Sequence, residues 1–319
     1  MREIGVTLPG ERPFDVIGLG LNAVDHLCTV PAFPTFNSKL QMAGYSCQPG
    51  GQVATAMVAL QRWGCRTSYL GTFGDGIIGE LSRRSLAEEQ VDLTGAVQRR
   101  GVANQMAVIL VDQASGERTV LMHRPPALVL APDELRRDLV TAGRVLHLDG
   151  YDLDAALTAA AWAHEAGMPV VVDLDTRSGA VERLVETSDA VIVSQEFAEQ
   201  FTGRADPARA IEGLAAVTRA PLVAITLGDA GVIARSRLGV VTVPACAVRC
   251  VDSTGAGDVF HAAFIYGLLH DWPLERTLRF ANAAAALKCT QVGGRPGIPT
   301  VAAAETLAAS DARSAGRGK

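Results

Sequence analysis

Short apolar runs rich in β-branched residues alternate with amphipathic stretches along most of the chain. No other feature limits the fold as much. Runs at 14–19, 68–71, 107–111, 145–148, 170–173, 190–193, 222–226 and 231–235 carry apolar residues at consecutive positions, as strands buried on both faces do. Between them, 53–63, 78–89, 154–166, 197–202, 208–217, 258–269 and 274–288 have helical spacing. Alternation of this kind predicts an α/β fold, a doubly wound and mostly parallel sheet flanked by helices.

Two stretches break the rhythm. Residues 21–49 hold Pro31, Pro34 and Pro49 among alternating polar and apolar residues, which excludes a helix. Residues 101–124 read as strand, hairpin and strand, turning at Ala114-Ser115-Gly116. Together these two excursions are expected to form a small β-sheet lid. The polar tail 309–319 is expected to be disordered, which leaves a single domain over 14–308.

The 319 residues carry a net charge of −5, with basic residues scattered along the chain, so nothing marks a nucleic-acid partner. No apolar run is long enough to span a membrane, and the N-terminal residues lack a signal-peptide pattern. Six irregularly spaced cysteines without metal-ligand spacing predict free thiols and a cytoplasmic protein.

Gly18-Leu19-Gly20-Leu21-Asn22-Ala23 fits the loose dinucleotide pattern, but Pro31 and Pro34 forbid the helix that must follow it. It is therefore set aside, and with it an oxidoreductase. A P-loop is absent. The informative segment is Val251-Asp252-Ser253-Thr254-Gly255-Ala256-Gly257-Asp258-Val259-Phe260, which leads into an Ala-rich amphipathic helix. Gly255 and Gly257 let successive N–H groups converge on an anion at a helix N-terminus. Asp258, in the first turn, is placed to take a proton from a hydroxyl attacking a phosphoryl group. The competing interpretation is an ordinary Gly-rich turn with an acidic helix start.

At these residues the sequence resembles the ribokinase (PfkB) carbohydrate kinases, whose C-terminal signature D-T-x-G-A-G-D-x-F matches Asp252–Phe260 with Ser253 for the first Thr. The family's Gly-Gly pair opening a helix matches Gly50-Gly51, followed by Gly71-Thr72-Phe73-Gly74-Asp75 and Gly79. An early G-x-x-x-x-D matches Gly20 and Asp25, and the likeness runs in order over about 14–300. Phe280-Ala281-Asn282, Lys288-Cys289-Thr290 and Gly293 to Pro299 look most like the branch containing sulfofructose kinase, with ketohexokinase more distant.

The resemblance implies a ribokinase-like fold and an ATP-dependent kinase acting on a hydroxyl of a ribose-, fructose- or sulfofructose-like compound, with ATP and Mg²⁺ as cofactors. It implies Asp258 as base and the backbone of Gly255, Ala256 and Gly257 as the anion hole. Asp25, Gly50, Gly51, Thr55 and Asp149 would hold the sugar, Thr55 standing where the family often has Asn. Thr226, Gly228, Gly231 and Asn282 would meet the nucleotide. Glu196 would stand in for the acidic end of the family's N-x-x-E, which here reads Ser194-Gln195-Glu196-Phe197. Mg²⁺ would be held mainly by ATP and water. In K⁺-activated relatives the Asp252 region and carbonyls near Cys289, Val292 and Gly294 would bind the ion.

Lys39, His123 and Arg124 fall on the expected lid and are candidates to meet an anionic substituent of the substrate, although surface charges that keep an edge soluble are the simpler explanation. Trp63, Trp162 and Trp272 read as packing residues, and His147 and His164 as structural. An exposed lid would also suit a homodimer. Two further functions stay open: a nucleoside kinase, and a non-catalytic sugar or nucleotide sensor on the same fold.

Overall fold

The consecutive apolar runs do become strands covered on both faces. The computed structural model describes residues 3–175 and 181–316. In chain order the strands are β1 (Val16–Leu19), β2 (Ala23–Val30), β3 (Gly44–Gly50), β4 (Thr67–Leu70), β5 (Thr72–Asp75), β6 (Val97–Ala103) and β7 (Met106–Asp112). They continue as β8 (Arg118–His123), β9 (Val145–Leu148), β10 (Val170–Leu174), β11 (Ala190–Ser194), β12 (Leu222–Thr226), β13 (Val232–Ser236) and β14 (Gly239–Val243). The helices are α1 (Gln52–Arg62), α2 (Gly76–Glu88), α3 (Arg137–Val140), α4 (Leu153–Glu165) and α5 (Glu182–Thr187). After them come α6 (Gln195–Thr202), α7 (Pro207–Ala215), α8 (Ala256–Leu269), α9 (Leu274–Lys288) and α10 (Val301–Gly316).

The main sheet has the order β14-β13-β12-β11-β10-β9-β1-β4, parallel from β4 to β12, with β13 and β14 antiparallel. Side chains alternate across it. Val171 joins a core with Met57 of α1, Phe264 of α8 and Phe280 of α9. Val170 and Val172 join the opposite core, with Ala159 of α4, Phe197 of α6 and Ile211 of α7. Burial on both faces is why the strands read as unbroken apolar runs. The chain leaves β1 for β4 on one side, while β9 lies on the other, so the C-terminal ends of β1 and β9 form the switch point where such sheets bind ligands.

The two excursions pair as an outer sheet of order β3-β2-β7-β8, with β2 and β7 parallel and the other pairs antiparallel. Asn22 fastens the junction between the sheets. Its Nδ2 donates to Tyr69 Oη (2.8 Å) and Thr72 O (2.7 Å), and its Oδ1 accepts from Ser82 Oγ (2.8 Å).

The Gly-x-Gly set aside in the sequence is explained by packing. A Cβ at Gly18 would lie 2.6 Å from Val53 Cγ1, so α1 can rest directly on β1. One at Gly20 would lie 2.3 Å from Asp149 Oδ2. A strand, not a helix, follows.

The tail differs from expectation. The backbone continues as α10 through Gly316, and only residues 317–319 lie outside the description. The segment is rich in Ala, the strongest helix former, so helix needs no periodic apolar stripe there. The short β5–β6 pair and helices α3 and α5 are further elements that the apolar pattern does not announce. All six cysteines are free thiols. Among the described residues no helix is long and apolar enough to cross a membrane.

Candidate active site

The N-terminal end of α8 lies beside the C-terminal end of β10 in the main sheet. Gly255 caps that helix with φ of +77°, a left-handed conformation that favours glycine. A Cβ there would lie 2.7 Å from Gly294 Cα. Gly257 behaves differently, since a Cβ on it would meet nothing within 4 Å. Ala256 N–H turns back to Ser253 O (3.2 Å). Among the described residues no backbone acceptor takes the N–H groups of Gly255 and Gly257. Thr254 Oγ1 is buried there without a partner. This loop therefore offers an anion two backbone donors and a hydroxyl, at the positive end of a helix dipole. Asp252 braces it, with Oδ1 accepting from Thr254 N (2.8 Å) and Oδ2 from Gly293 N (2.7 Å).

Asp258 is partly buried in the first turn of α8. Burial, with the carboxylates of Asp173, Asp175 and Asp25 nearby, pushes its pKa well above the ordinary carboxylate value, against the pull of Arg118. A carboxylate so raised is better matched to accepting a proton near neutral pH than a solvated one.

Behind it lies a polar pair that the sequence reading missed. His261, one turn further along α8, has Nε2 3.1 Å from Asp173 Oδ1 at the end of β10. Gln52, the first residue of α1, hydrogen-bonds the same carboxylate. Burial pushes the His261 imidazole down to about 3, so it is neutral, and it pushes Asp173 upward. The available sequence signal was a carboxylate closing an otherwise apolar strand, with Asp175 two residues on.

In the outer sheet, Asp25 projects from β2 against Gly50, where a Cβ would lie 2.0 Å from its Oδ2. Gly51, at φ of +92°, packs on the backbone of Asn22. Asp25 is pushed up to about 6 by burial, countered by Arg295 and reinforced by Asp252. Arg295 is buried as well. Its Nη2 donates to Gly50 O (3.0 Å) and its Nη1 to Ser85 Oγ (2.9 Å), with Nε 3.5 Å from Thr55 Oγ1. Its place in a Gly-rich segment gave no sign of this role. Thr55 is fully buried beside it, on α1.

Asp149 follows β9. Its carboxylate accepts from Leu21 N (2.6 Å) and Tyr151 N (3.1 Å), and burial pushes it up to about 8. It thus shapes the turn after β1. Arg124, offered above as an anion contact, instead pairs with buried Asp152 (2.7 Å), while Lys39 and His123 are exposed on the outer-sheet excursions.

The remaining residues line the neighbouring strand ends. Thr226 ends β12 opposite Ser194 of β11. Gly231 has φ of +98°, and a Cβ on it would lie 2.2 Å from Val243 O. Gly228, at φ of +60°, has open space around it. Asn282 Nδ2 donates to Val243 O (3.1 Å) and Pro244 O (2.8 Å), so any purine contact from this residue falls to Oδ1. Ser194 Oγ caps α6 by accepting from Phe197 N (3.1 Å). Glu196 is exposed in the first turn of α6, with Oε1 accepting from Gln200 Nε2 (3.1 Å).

The sheet order and the glycine-rich entry to α8 are those expected of a ribokinase-like phosphotransferase, and comparison with known proteins shows that fold and class. The chain belongs to the pfkB family of carbohydrate kinases, whose family model matches residues 15–301. Fructokinase of Klebsiella pneumoniae is 33% identical over 276 residues, covering 79% of this chain and 89% of that one. The crystal structure of a candidate ribokinase from Agrobacterium tumefaciens superposes with a TM-score of 0.86 at 26% identity, covering 94% of this chain and 99% of that one. A candidate ribokinase II from E. coli in complex with ATP and Mg²⁺ gives 0.80 at 22% identity, covering 93% and 99%. The protein is thus an ATP-dependent carbohydrate kinase.

Proposed function

We propose that the protein transfers the γ-phosphoryl group of Mg·ATP to a hydroxyl of a fructose- or ribose-like sugar, with Asp258 as general base. The observation that carries this reading is the raised carboxylate of Asp258, one residue beyond the open face of Gly257 on an anion-binding helix start. The nucleotide would lie along Thr226, Gly228, Gly231 and Asn282, with its phosphates at Gly255 and Gly257. Among the described residues no group of three or more His, Cys, Asp or Glu is arranged to hold a metal ion. Mg²⁺ would be held mainly by the phosphates and by water, with Glu196 standing in for the acidic end of the family's N-x-x-E. When bound, it neutralises charge on the transferring phosphoryl group.

The sugar would sit between Asp25, Gly50, Gly51 and Thr55, its attacking hydroxyl toward Asp258, with Asp149 holding the turn beside it. Asp258 takes the hydroxyl proton as the sugar oxygen bonds to the γ-phosphorus and the bond from that phosphorus to the bridging oxygen breaks, ADP leaving with the electron pair. Gly255 and Gly257 N–H groups receive the phosphoryl oxygens. The outer sheet excludes water and so suppresses ATP hydrolysis. Its unpaired edge is proposed to pair with a second copy of the chain.

The test is ADP release with Mg·ATP against fructose, ribose, sulfofructose and nucleosides. Turnover on a sugar is the expected result. Turnover on nucleosides alone would replace the substrate assignment, and nucleotide binding with no turnover would replace the kinase mechanism with sensing.

A further inference from the structure

The resemblance implies a potassium ion beside Asp252, yet Asp252 and the Cys289 carbonyl, two of the groups proposed for it, are already engaged. Lys288, the last residue of α9, is fully buried. Its Nζ donates to Asp252 O at 2.7 Å and lies 3.5 Å from Gln291 O. Both oxygens of the Asp252 carboxylate accept backbone N–H groups, from Thr254 and Gly293. Cys289 O accepts two more, from Val251 (2.7 Å) and Asp252 (3.2 Å). Gly297 packs on the same helix end, where a Cβ would lie 2.3 Å from Lys288 O. The segments 251–254 and 288–294 are thus joined around an ammonium group.

An ammonium and a potassium ion carry the same charge, are similar in size and seek the same carbonyl oxygens. Two such charges cannot share one desolvated site without strong repulsion. We propose that the Lys288 ammonium serves as a built-in monovalent cation of the phosphoryl-binding loop, so that this kinase works without potassium. The inference rests on reading 252–258 as that loop. Lys288 acts as a positioning residue: it fixes the Asp252 carbonyl, and through it the loop that holds the phosphoryl group. Its burial is otherwise hard to understand, because a buried lysine is costly unless its charge is met.

The experiment compares potassium chloride with tetramethylammonium chloride at equal ionic strength, using alkali-free Mg·ATP and the sugar turned over in the panel above. Wild-type kcat/KM is expected to agree within about twofold between the two salts, and its melting temperature to be the same in both. Lys288→Ala is expected to lose at least tenfold in tetramethylammonium. It should recover on addition of potassium or ammonium, and its melting temperature should become potassium-dependent. Potassium activation of the wild type by tenfold or more would overturn the inference, as would a folded Lys288→Ala protein indifferent to every cation. If that variant does not fold, the wild-type comparison still decides. If no sugar is turned over, the sugar-kinase reading fails on its own, and the wild-type melting temperature in the two salts still reports on the cation site.

Discussion

Asp25 shows what burial does to a carboxylate at the proposed sugar site before any ligand arrives. Its native pKa of about 6 stands above the ordinary 3.8, so the native state binds the proton more tightly than the unfolded chain does. The sign is opposite to that of a salt-bridged aspartate: stability falls as pH rises from 3.8 to about 6, and the full penalty is present above it. A shift of this size corresponds to about 3 kcal/mol as an upper bound. Asp25→Asn is therefore expected to melt at a higher temperature than wild type at pH 8, with the difference vanishing below pH 4. Sugar KM should rise by about 10–100-fold, the usual effect of losing a charged hydrogen bond to a hydroxyl. A melting temperature that is unchanged at pH 8 would contradict the burial argument. Asp25 was readable in the sequence only through the family pattern. Its partner Arg295 was not readable at all, because a cation buried by distant segments leaves no local trace.

At the scale of elements, the loop entering α8 separates two uses of glycine. Gly255 is needed by the backbone, through its positive φ and its contact with Gly294, whereas Gly257 faces open space. Gly255→Val is expected to lower both melting temperature and turnover. Gly257→Val should leave the melting temperature within about a degree and still reduce turnover, since its methyl groups fill the place of the phosphoryl oxygens. Equal effects of the two substitutions on stability would refute this division. The parallel strands and most long helices were legible in the sequence because a two-sided core imposes unbroken apolar runs on them. The Asp252–Phe260 turn was legible because a helix entered through glycines constrains sequence locally. The pairing of His261 with Asp173 and the placing of Lys288 under Asp252 were not, since each joins segments far apart in the chain. Asn282 illustrates the same limit: its position was marked, but its amide nitrogen is held by the exit of β14.

For the whole molecule, the main sheet and the outer sheet meet at Asn22, and the sugar site proposed above lies at their junction. The two excursions were recognisable because prolines and a tight turn interrupt the α/β rhythm. Their pairing into a sheet of order β3-β2-β7-β8 depends on β2 meeting β7, with partners such as Val24 and Met106 82 residues apart, which no local pattern encodes. Strand β8 exposes all six of its residues, Val120, Leu121 and Met122 among them. A second copy is expected to cover this edge, and light scattering coupled to size exclusion should give twice the 33.4 kDa chain mass. A monomer at micromolar concentration would mean that the edge is tolerated by itself.

The central claim, that Asp258 removes the proton from the attacking hydroxyl, is tested most directly by turnover of Asp258→Asn on the sugar the wild type phosphorylates. Asparagine keeps the shape and cannot accept the proton. A loss of about 10²–10⁴-fold in kcat is expected, with nucleotide affinity kept and a melting temperature no lower than wild type, because a disfavoured buried charge has been removed. Near-wild-type turnover in a folded Asp258→Asn protein would contradict the assignment of the base and the mechanism built on it.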